Sequence, residues 1–271
     1  MERINWREQI PSTVPFFDPM TYERQRVDAF NASPGAYTEL DCPRCHNKGI
    51  ILHLRDDGTR YVTDCVCRKT RNSVARMERS GLKNSIRDMT FDKFRASEGW
   101  QQLLKDGAMA YAKEGTGWFL ICGQSGSGKT HLCTAICRER LLRGEDVHYM
   151  SWREEVTALK SLSGEDPKRQ KQLQRLKTVP LLYIDDLFKT GNPQNGMPCP
   201  TAADINLAFE ILNYRYINHL QTIISTEMQM HEMMDADEAL CSRIIEQAGS
   251  HHYAVKLDRK RNYRLRNVTV L

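Results

Sequence analysis

Strands alternating with helices over most of the chain predict an α/β fold, a mostly parallel sheet covered on both faces, preceded by a small cysteine-rich module. Three observations carry this. Five apolar strand-like runs, WFLIC, VHYM, LLYID, TIIST and HYAVKL, are separated by segments of helical pattern. The first run leads straight into a glycine-rich loop that opens a helix, Gly123 to Thr130. Upstream, two close pairs of cysteines flank a strand-turn-strand pattern. A length of 271 residues with 40% hydrophobic content suits one substantial α/β core plus a smaller module.

Taken in order, residues 1–40 hold Pro11, Pro15, Pro19 and Pro34 among mixed charges and read as an arm with one short helix around Tyr22 to Phe30. Residues 41–95 form the cysteine module and a basic helical linker. GIILHL and RYVTDCV are its strands, Asp57-Gly58 is the hairpin signal, and Arg68 to about Arg79 is a basic helix closed by Ser80-Gly81. Residues 96–271 are the α/β domain. Its helices are expected over Trp100 to Lys113, His131 to Arg143, two between Arg153 and Lys177, Ala203 to Asn218, and a pair between His231 and Ala248. There is no internal repeat and no low-complexity segment.

No apolar run is long enough to cross a bilayer and the first residues lack a signal-peptide pattern, so a cytoplasmic protein is expected. In that compartment nine cysteines point to metal binding rather than disulfides. A net charge of +5 permits a nucleic-acid partner without demanding one.

Gly123-Gln124-Ser125-Gly126-Ser127-Gly128-Lys129-Thr130 fits the phosphate-binding pattern G-x-x-x-x-G-K-[ST], in its required place between a strand and a helix. Its glycines let backbone N–H groups and the positive helix end face an anion. Lys129 would bridge the β- and γ-phosphates of ATP, and Thr130 would ligate Mg²⁺. The alternative is a plain glycine turn. A second acid on the metal side is expected at the end of a neighbouring strand, and Leu181-Leu182-Tyr183-Ile184-Asp185-Asp186 supplies it. Asp185 is read as the Mg²⁺ ligand and Asp186 as the general base, a place often held by the longer glutamate. At the end of the next strand, Ser225 or Thr226 would position water against the γ-phosphate; otherwise they are ordinary strand-end hydroxyls.

Cys42-x₂-Cys45-x₁₉-Cys65-x-Cys67 is close to the knuckle spacings that hold Zn²⁺ in four thiolates. Two rivals share these residues: Cys42 to His46 matches the C-x-x-C-H haem pattern, and four cysteines also suit an iron–sulfur cluster. His46 and His53 are spare ligand candidates. Cys122, Cys133 and Cys137 read as small core residues, Cys199 and Cys241 carry no signal, and the helix at His231 lacks the second histidine of a zinc-protease motif.

The pieces CPRCHNKG, CVCRK, GQSGSGKTHL, LLYIDDL, DINLAFEILNYRY, TIISTE, SRIIE and NYRLR, in that order, resemble the bacterial and phage helicase loaders of the DnaC/DnaI type, AAA+ ATPases close to the transposition ATPase IstB. The resemblance runs from Cys42 to the last residues. It implies an AAA+ core with a reduced or absent C-terminal lid, His131 within the nucleotide loop, Ser225 or Thr226 as a sensor, Arg243 as an arginine finger reaching a neighbouring subunit, and Arg264, with Arg266 as competitor, as a second sensor. Without the family, Arg243 would be read as a helix-surface salt bridge. The helices between Arg153 and Lys177 resemble an insertion that contributes to single-stranded DNA binding. Lys160, Lys168, Arg169, Lys171, Arg175 and Lys177 make it basic, although a solvated charged face reads the same.

The function implied is ATP-dependent loading of a hexameric replicative helicase onto single-stranded DNA. A ring or spiral of subunits would share the ATPase sites, and the zinc module would grip the helicase. An IstB-like ATPase regulating a transposase is the alternative, though its family usually lacks the cysteine-rich front. A metabolite kinase is a third class, for which neither a substrate pocket nor an arginine-bearing lid is evident.

Overall fold

The structure is a computed structural model that describes residues 18–37, 41–77, 85–162, 164, 166–189 and 199–265, without the side chains of 73–77. Residues 1–17 of the expected arm, the Ser80-Gly81 helix stop and Arg266 lie outside the described residues. The chain divides into two compact units, Met1–Arg68 and Lys69–Leu271.

In the first unit, Asp18 caps helix α1 (Pro19–Ala32) by accepting from the amides of Met20 and Thr21 at 3.1 and 3.0 Å, with Pro19 pre-set for the first turn. The helix is longer at both ends than the proline pattern suggested. Strand β1 (Ile50–Leu54) pairs antiparallel with β2 (Arg60–Asp64) around a turn in which Gly58 takes φ +81°. Asn31 at the end of α1 closes the other edge of β1, donating to the Leu52 carbonyl at 2.9 Å and accepting from its amide at 3.0 Å. That pair of hydrogen bonds makes part of the expected 1–40 arm a member of the cysteine unit.

After α2 (Cys67–Met77) and a short α3 (Ser85–Asp88), the second unit runs α4 (Gly99–Glu114), β3 (Trp118–Gly123), α5 (Lys129–Leu142), β4 (Val147–Ser151), α6 (Trp152–Ser161), α7 (Pro167–Thr178), β5 (Leu181–Asp185), α8 (Ala202–Ile217), β6 (Gln221–Thr226), α9 (Met230–Ala236), α10 (Glu238–Ala248) and β7 (His252–Val255), then two 3₁₀ turns at Arg259–Arg261 and Tyr263–Leu265. Among the described residues its strands form one sheet in the order β4-β5-β6-β3-β7, every pair parallel. All six residues of β3 and all five of β5 are buried, as expected of parallel strands covered on both faces.

Alternation along β3 splits the core. Trp118 and Leu120 join one apolar layer with Trp152, Leu176 and Ile211, while Phe119 and Ile121 join the other with Leu132, Ile136 and Tyr183. Ile86, Phe91 and Phe94 belong to that second layer. The α/β unit therefore starts well before the boundary expected at residue 96, because these apolar residues of the linker find their burial in its core.

Arg215 on α8 is fully buried and has no carboxylate partner among the described residues. Its guanidinium instead donates to the carbonyls of Leu176, Lys177 and Val179 at 3.1, 3.1 and 2.8 Å, to the Gln221 carbonyl, and to the Thr222 hydroxyl at 2.9 Å. One cation thus satisfies the open C-terminal end of α7 and ties it to the start of β6. No described helix is long and apolar enough to cross a membrane.

Candidate functional site

The strand order sets the carboxyl ends of β5, β6 and β3 side by side, so the glycine loop, the acid pair and Ser225-Thr226-Glu227 meet at one edge of the sheet. The glycines of the loop answer to local sterics. Gly126 and Gly128 have φ +71° and +96°, and a Cβ there would stand 2.0 Å from Asn262 Oδ1 and 2.6 Å from the Phe94 ring. Gly128 is also the N-cap of α5 and brings no side chain to its open amides, which leaves them for an anion.

Lys129 is buried, and its ammonium donates to the carbonyls of Gly123 at 2.8 Å and Gln124 at 2.9 Å. Burial pushes its pKa down, against the pull of Glu227 and Asp186. The Ser127 hydroxyl is buried with no hydrogen-bond partner among the described residues, in the wall of a cleft of about 480 Å³. An orphaned hydroxyl beside a free helix end is what a phosphate chain would satisfy.

Asp185 is held by four hydroxyls: Tyr183 and Ser225 donate to Oδ1 at 2.6 Å each, Thr130 to Oδ1 at 3.1 Å, and Tyr149 to Oδ2 at 3.2 Å. The all-oxygen pair of Thr130 and Asp185, already within hydrogen-bond reach, fits a hard cation such as Mg²⁺. Asp186 takes φ +57°, its amide donates to Ser225 Oγ at 3.0 Å, and its carboxylate faces the cleft. Burial and then the neighbouring Asp185 raise its pKa, while Lys189 opposes them. The Lys189 ammonium bridges Asp186 Oδ2 at 2.9 Å and Glu227 Oε1 at 3.1 Å.

Ser225 and Thr226 sit differently from the expectation that one of them positions water. Both are fully buried. Ser225 links the Asp185 carboxylate to the Asp186 amide, while Thr226 donates to the Leu187 carbonyl at 2.8 Å and accepts from the Met228 amide at 3.2 Å. Strand alternation spends both hydroxyls on the sheet, and the polar group of this segment that reaches the cleft is Glu227.

His131 forms part of the opposite wall, where its Nε2 pairs with the Thr90 carbonyl at 2.8 Å and its ring meets Phe94 edge-on at 5.3 Å. Gln124 leaves the cleft and accepts from the Asp258 amide at 2.9 Å, while the Tyr263 amide donates to the Gly126 carbonyl at 2.9 Å. These bonds lay the segment after β7 along the loop and put Arg264 in the cleft wall. Arg243 lies outside that wall: it donates to the Ala239 carbonyl at 2.7 Å and rests over the rings of Phe209 and Tyr216 at 5.2 and 5.7 Å. Among the basic residues of α6 and α7, Lys160 pairs with Asp204 at 2.6 Å and Lys177 with Glu210 at 2.7 Å, so these two serve the packing against α8.

Sequence reasoning missed Tyr149, Tyr183, Lys189 and Glu227. Tyr183 was findable, since it shares a strand face with Asp185 two residues on. Tyr149 was not, because only the pairing of β4 with β5 brings it there.

In the other unit the Sγ atoms of Cys42, Cys45, Cys65 and Cys67 all lie within 4.8 Å of one another, with Cys42 to Cys65 at 3.8 Å and Cys45 to Cys67 at 3.5 Å. Four thiolates around one zinc stand about 3.8 Å apart, so the cluster fits Zn²⁺. His46 and Asn47 turn the knuckle with φ +45° and +68°, and the Gly49 amide donates to Cys45 Sγ at 3.3 Å. Burial opposes ionisation of Cys45, but this N–H and the neighbouring thiols pull its pKa down to about 6. Neither His46 nor His53 joins the cluster, and Cys122, Cys133, Cys137, Cys199 and Cys241 lie outside it.

The family described as IstB-like ATP binding protein matches residues 62–269. The phage-like element PBSX protein XkdC of Bacillus subtilis is 34% identical over 232 residues, 81% of this chain and 84% of that protein. The replicative helicase loader DnaC of Escherichia coli is 32% identical over 113 residues, 40% of this chain and 46% of that protein. A crystal structure of DnaI superposes with a TM-score of 0.51 at 18% identity, over 66% of this chain and 93% of that one, which speaks for the fold alone.

Proposed function

The chain belongs to the family of IstB-like ATP-binding proteins, and from that premise we propose that it is a Mg²⁺-dependent ATPase that loads a replicative helicase onto single-stranded DNA. The observation that carries the ATPase half is the hydrogen-bonded series Thr130, Asp185, Ser225, Asp186, which couples the phosphate loop to a carboxylate facing the cleft. Thr130 and Asp185 would hold Mg²⁺, which when bound neutralises charge on the β- and γ-phosphates. The loop amides and Lys129 cradle the phosphates, Ser127 gives them its free hydroxyl, and the wall of Phe94 and His131 shields the opposite end of the cleft. Asp186 accepts the proton of the attacking water at a carboxylate oxygen, giving ADP and phosphate; burial, which favours the proton-bound form, suits it to that task.

The loading half is supported by the similarity to DnaC and by a separate unit fitted for zinc. In this reading the zinc unit grips the helicase, and the basic positions of α7 left out of ion pairs with α8 (Lys168, Arg169, Lys171 and Arg175) meet DNA phosphates. The transposase-regulator alternative shares the family match and is not better supported by it.

The test measures ATP turnover and capture of the host replicative helicase by the full chain, with and without single-stranded DNA. Mg²⁺-dependent turnover that Lys129→Ala abolishes, together with helicase capture, is expected. Turnover in a folded Lys129→Ala protein would end the ATPase reading, and failure to capture helicase in any nucleotide state would end the loader reading.

A further inference from the structure

Lys189 lines the cleft as a cation outside the phosphate-loop pattern, as do Lys93, Arg95 and Arg264, and it bonds to both Asp186 and Glu227 at the strand ends. It follows a sharp reversal in which Asp186 and Phe188 both take left-handed backbone angles, φ +57° and +65°. That reversal is fixed from below. Leu187 and Phe188 are buried, the Leu187 amide donates to the Ser225 carbonyl at 2.8 Å, and the Phe188 ring meets Trp152 edge-on at 5.5 Å. The backbone of Lys189 therefore starts from a fixed anchor, while its side chain is 37% exposed.

Its ammonium is shared between two carboxylates that line the cleft, Asp186 at 2.9 Å and Glu227 at 3.1 Å. A solvent-accessible ion bridge of this kind, only partly buried, holds modest free energy by itself and can be exchanged. Lys129, across the cleft, already spends donors on the carbonyls of Gly123 and Gln124. The far wall carries the rings of Phe94 and His131 with Met89, Gln101, Lys93 and Arg95, whereas Asp186, Lys189 and Glu227 stand at the strand ends. A nucleotide seated on the loop with its metal held by Thr130 and Asp185 would set its terminal phosphate toward the strand ends.

We propose that Lys189 is a terminal-phosphate sensor acting within its own subunit: it leaves Asp186 for the γ-phosphate, with Glu227 as tether, and so frees the Asp186 carboxylate for water only when a third phosphate is present. A carboxylate bound to an ammonium is a poor proton acceptor, so the closed bridge is the resting state and the exchange couples base activation to ATP over ADP. This deepens the ATPase reading and rests on it.

The test compares Lys189→Met, Lys189→Arg and Glu227→Gln with the parent chain, using ADP, a non-hydrolysable ATP analogue and ATP turnover. Lys189→Met should lose about tenfold in affinity for the triphosphate analogue, the worth of one charge-assisted contact, and keep ADP affinity within about twofold. Its kcat should fall with it, Lys189→Arg should recover part of both, and Glu227→Gln should lose less triphosphate affinity than Lys189→Met. Equal losses for ADP and the analogue, or unchanged analogue affinity with a raised kcat, would overturn the proposal, the latter because Lys189 would then only mask Asp186. Lys129→Ala is the control. If it binds both nucleotides like the parent, the phosphate-loop reading is what has failed.

Discussion

Asp185 illustrates how a single residue's role is set by what surrounds it. Four hydroxyls converge on its carboxylate, and one of them, Ser225 Oγ, also accepts the Asp186 amide, so the metal-side acid and the base are positioned by the same atom. Removing that atom by Ser225→Ala leaves the part-buried Asp186 amide without its partner, at a cost of about 1–3 kcal/mol. Thermal unfolding should show that loss, and turnover should drop while nucleotide affinity stays. Thr226→Ala provides the contrast. Its hydroxyl serves the Leu187 carbonyl and the Met228 amide, so stability should fall similarly with little change in kcat beyond it. A folded Thr226→Ala chain as slow as Ser225→Ala would return the sensor role to Thr226.

At the scale of elements, the hairpin of β1 and β2 cannot be stable by its own packing. Every residue of β2 is exposed and none of β1 is fully buried, and two strands alone are marginal in water. The cysteine cluster at its base is where the missing free energy would come from, since zinc binding to thiolates is also folding free energy. Elemental analysis should find about one zinc per chain. Chelation should expose residues 42–67 to proteolysis while ATP affinity persists, because the phosphate loop belongs to the other unit. Iron with visible absorption, or a hairpin that stays protected after the metal is stripped, would show that zinc does not hold it.

At the scale of the molecule, the cleft is built from one chain but lacks Arg243, which lies elsewhere on α10 over Phe209 and Tyr216. If it completes a neighbour's site, two inactive proteins should rescue each other: Arg243→Ala keeps an intact loop and Lys129→Ala keeps an intact arginine. Mixed subunits should regain part of the parent turnover, and activity per subunit should rise with concentration. A mixture as inactive as its components, under conditions where the parent chain assembles and turns over, would count against action in trans.

The phosphate loop, the acid pair and the four cysteines were legible from sequence because each is a local pattern whose chemistry needs fixed spacing, and alternating periodicities located every strand of the parallel sheet. The helix over Tyr22 to Phe30 was legible too, but not its attachment through Asn31 to β1, a contact across 21 residues. Nor could the linear chain show that Ile86, Phe91 and Phe94 belong to the α/β core, since apolar residues in a connector declare a need for burial and not its place. The order of strands within the sheet, which the sequence does not spell out, decided the rest: it set β6 between β5 and β3, turned Ser225 and Thr226 inward, and left Glu227 and Lys189 to face the phosphate loop. Spacing determines which groups a segment can offer; only packing, which fixes the direction of each side chain and what shields it, determines which of them the cleft receives.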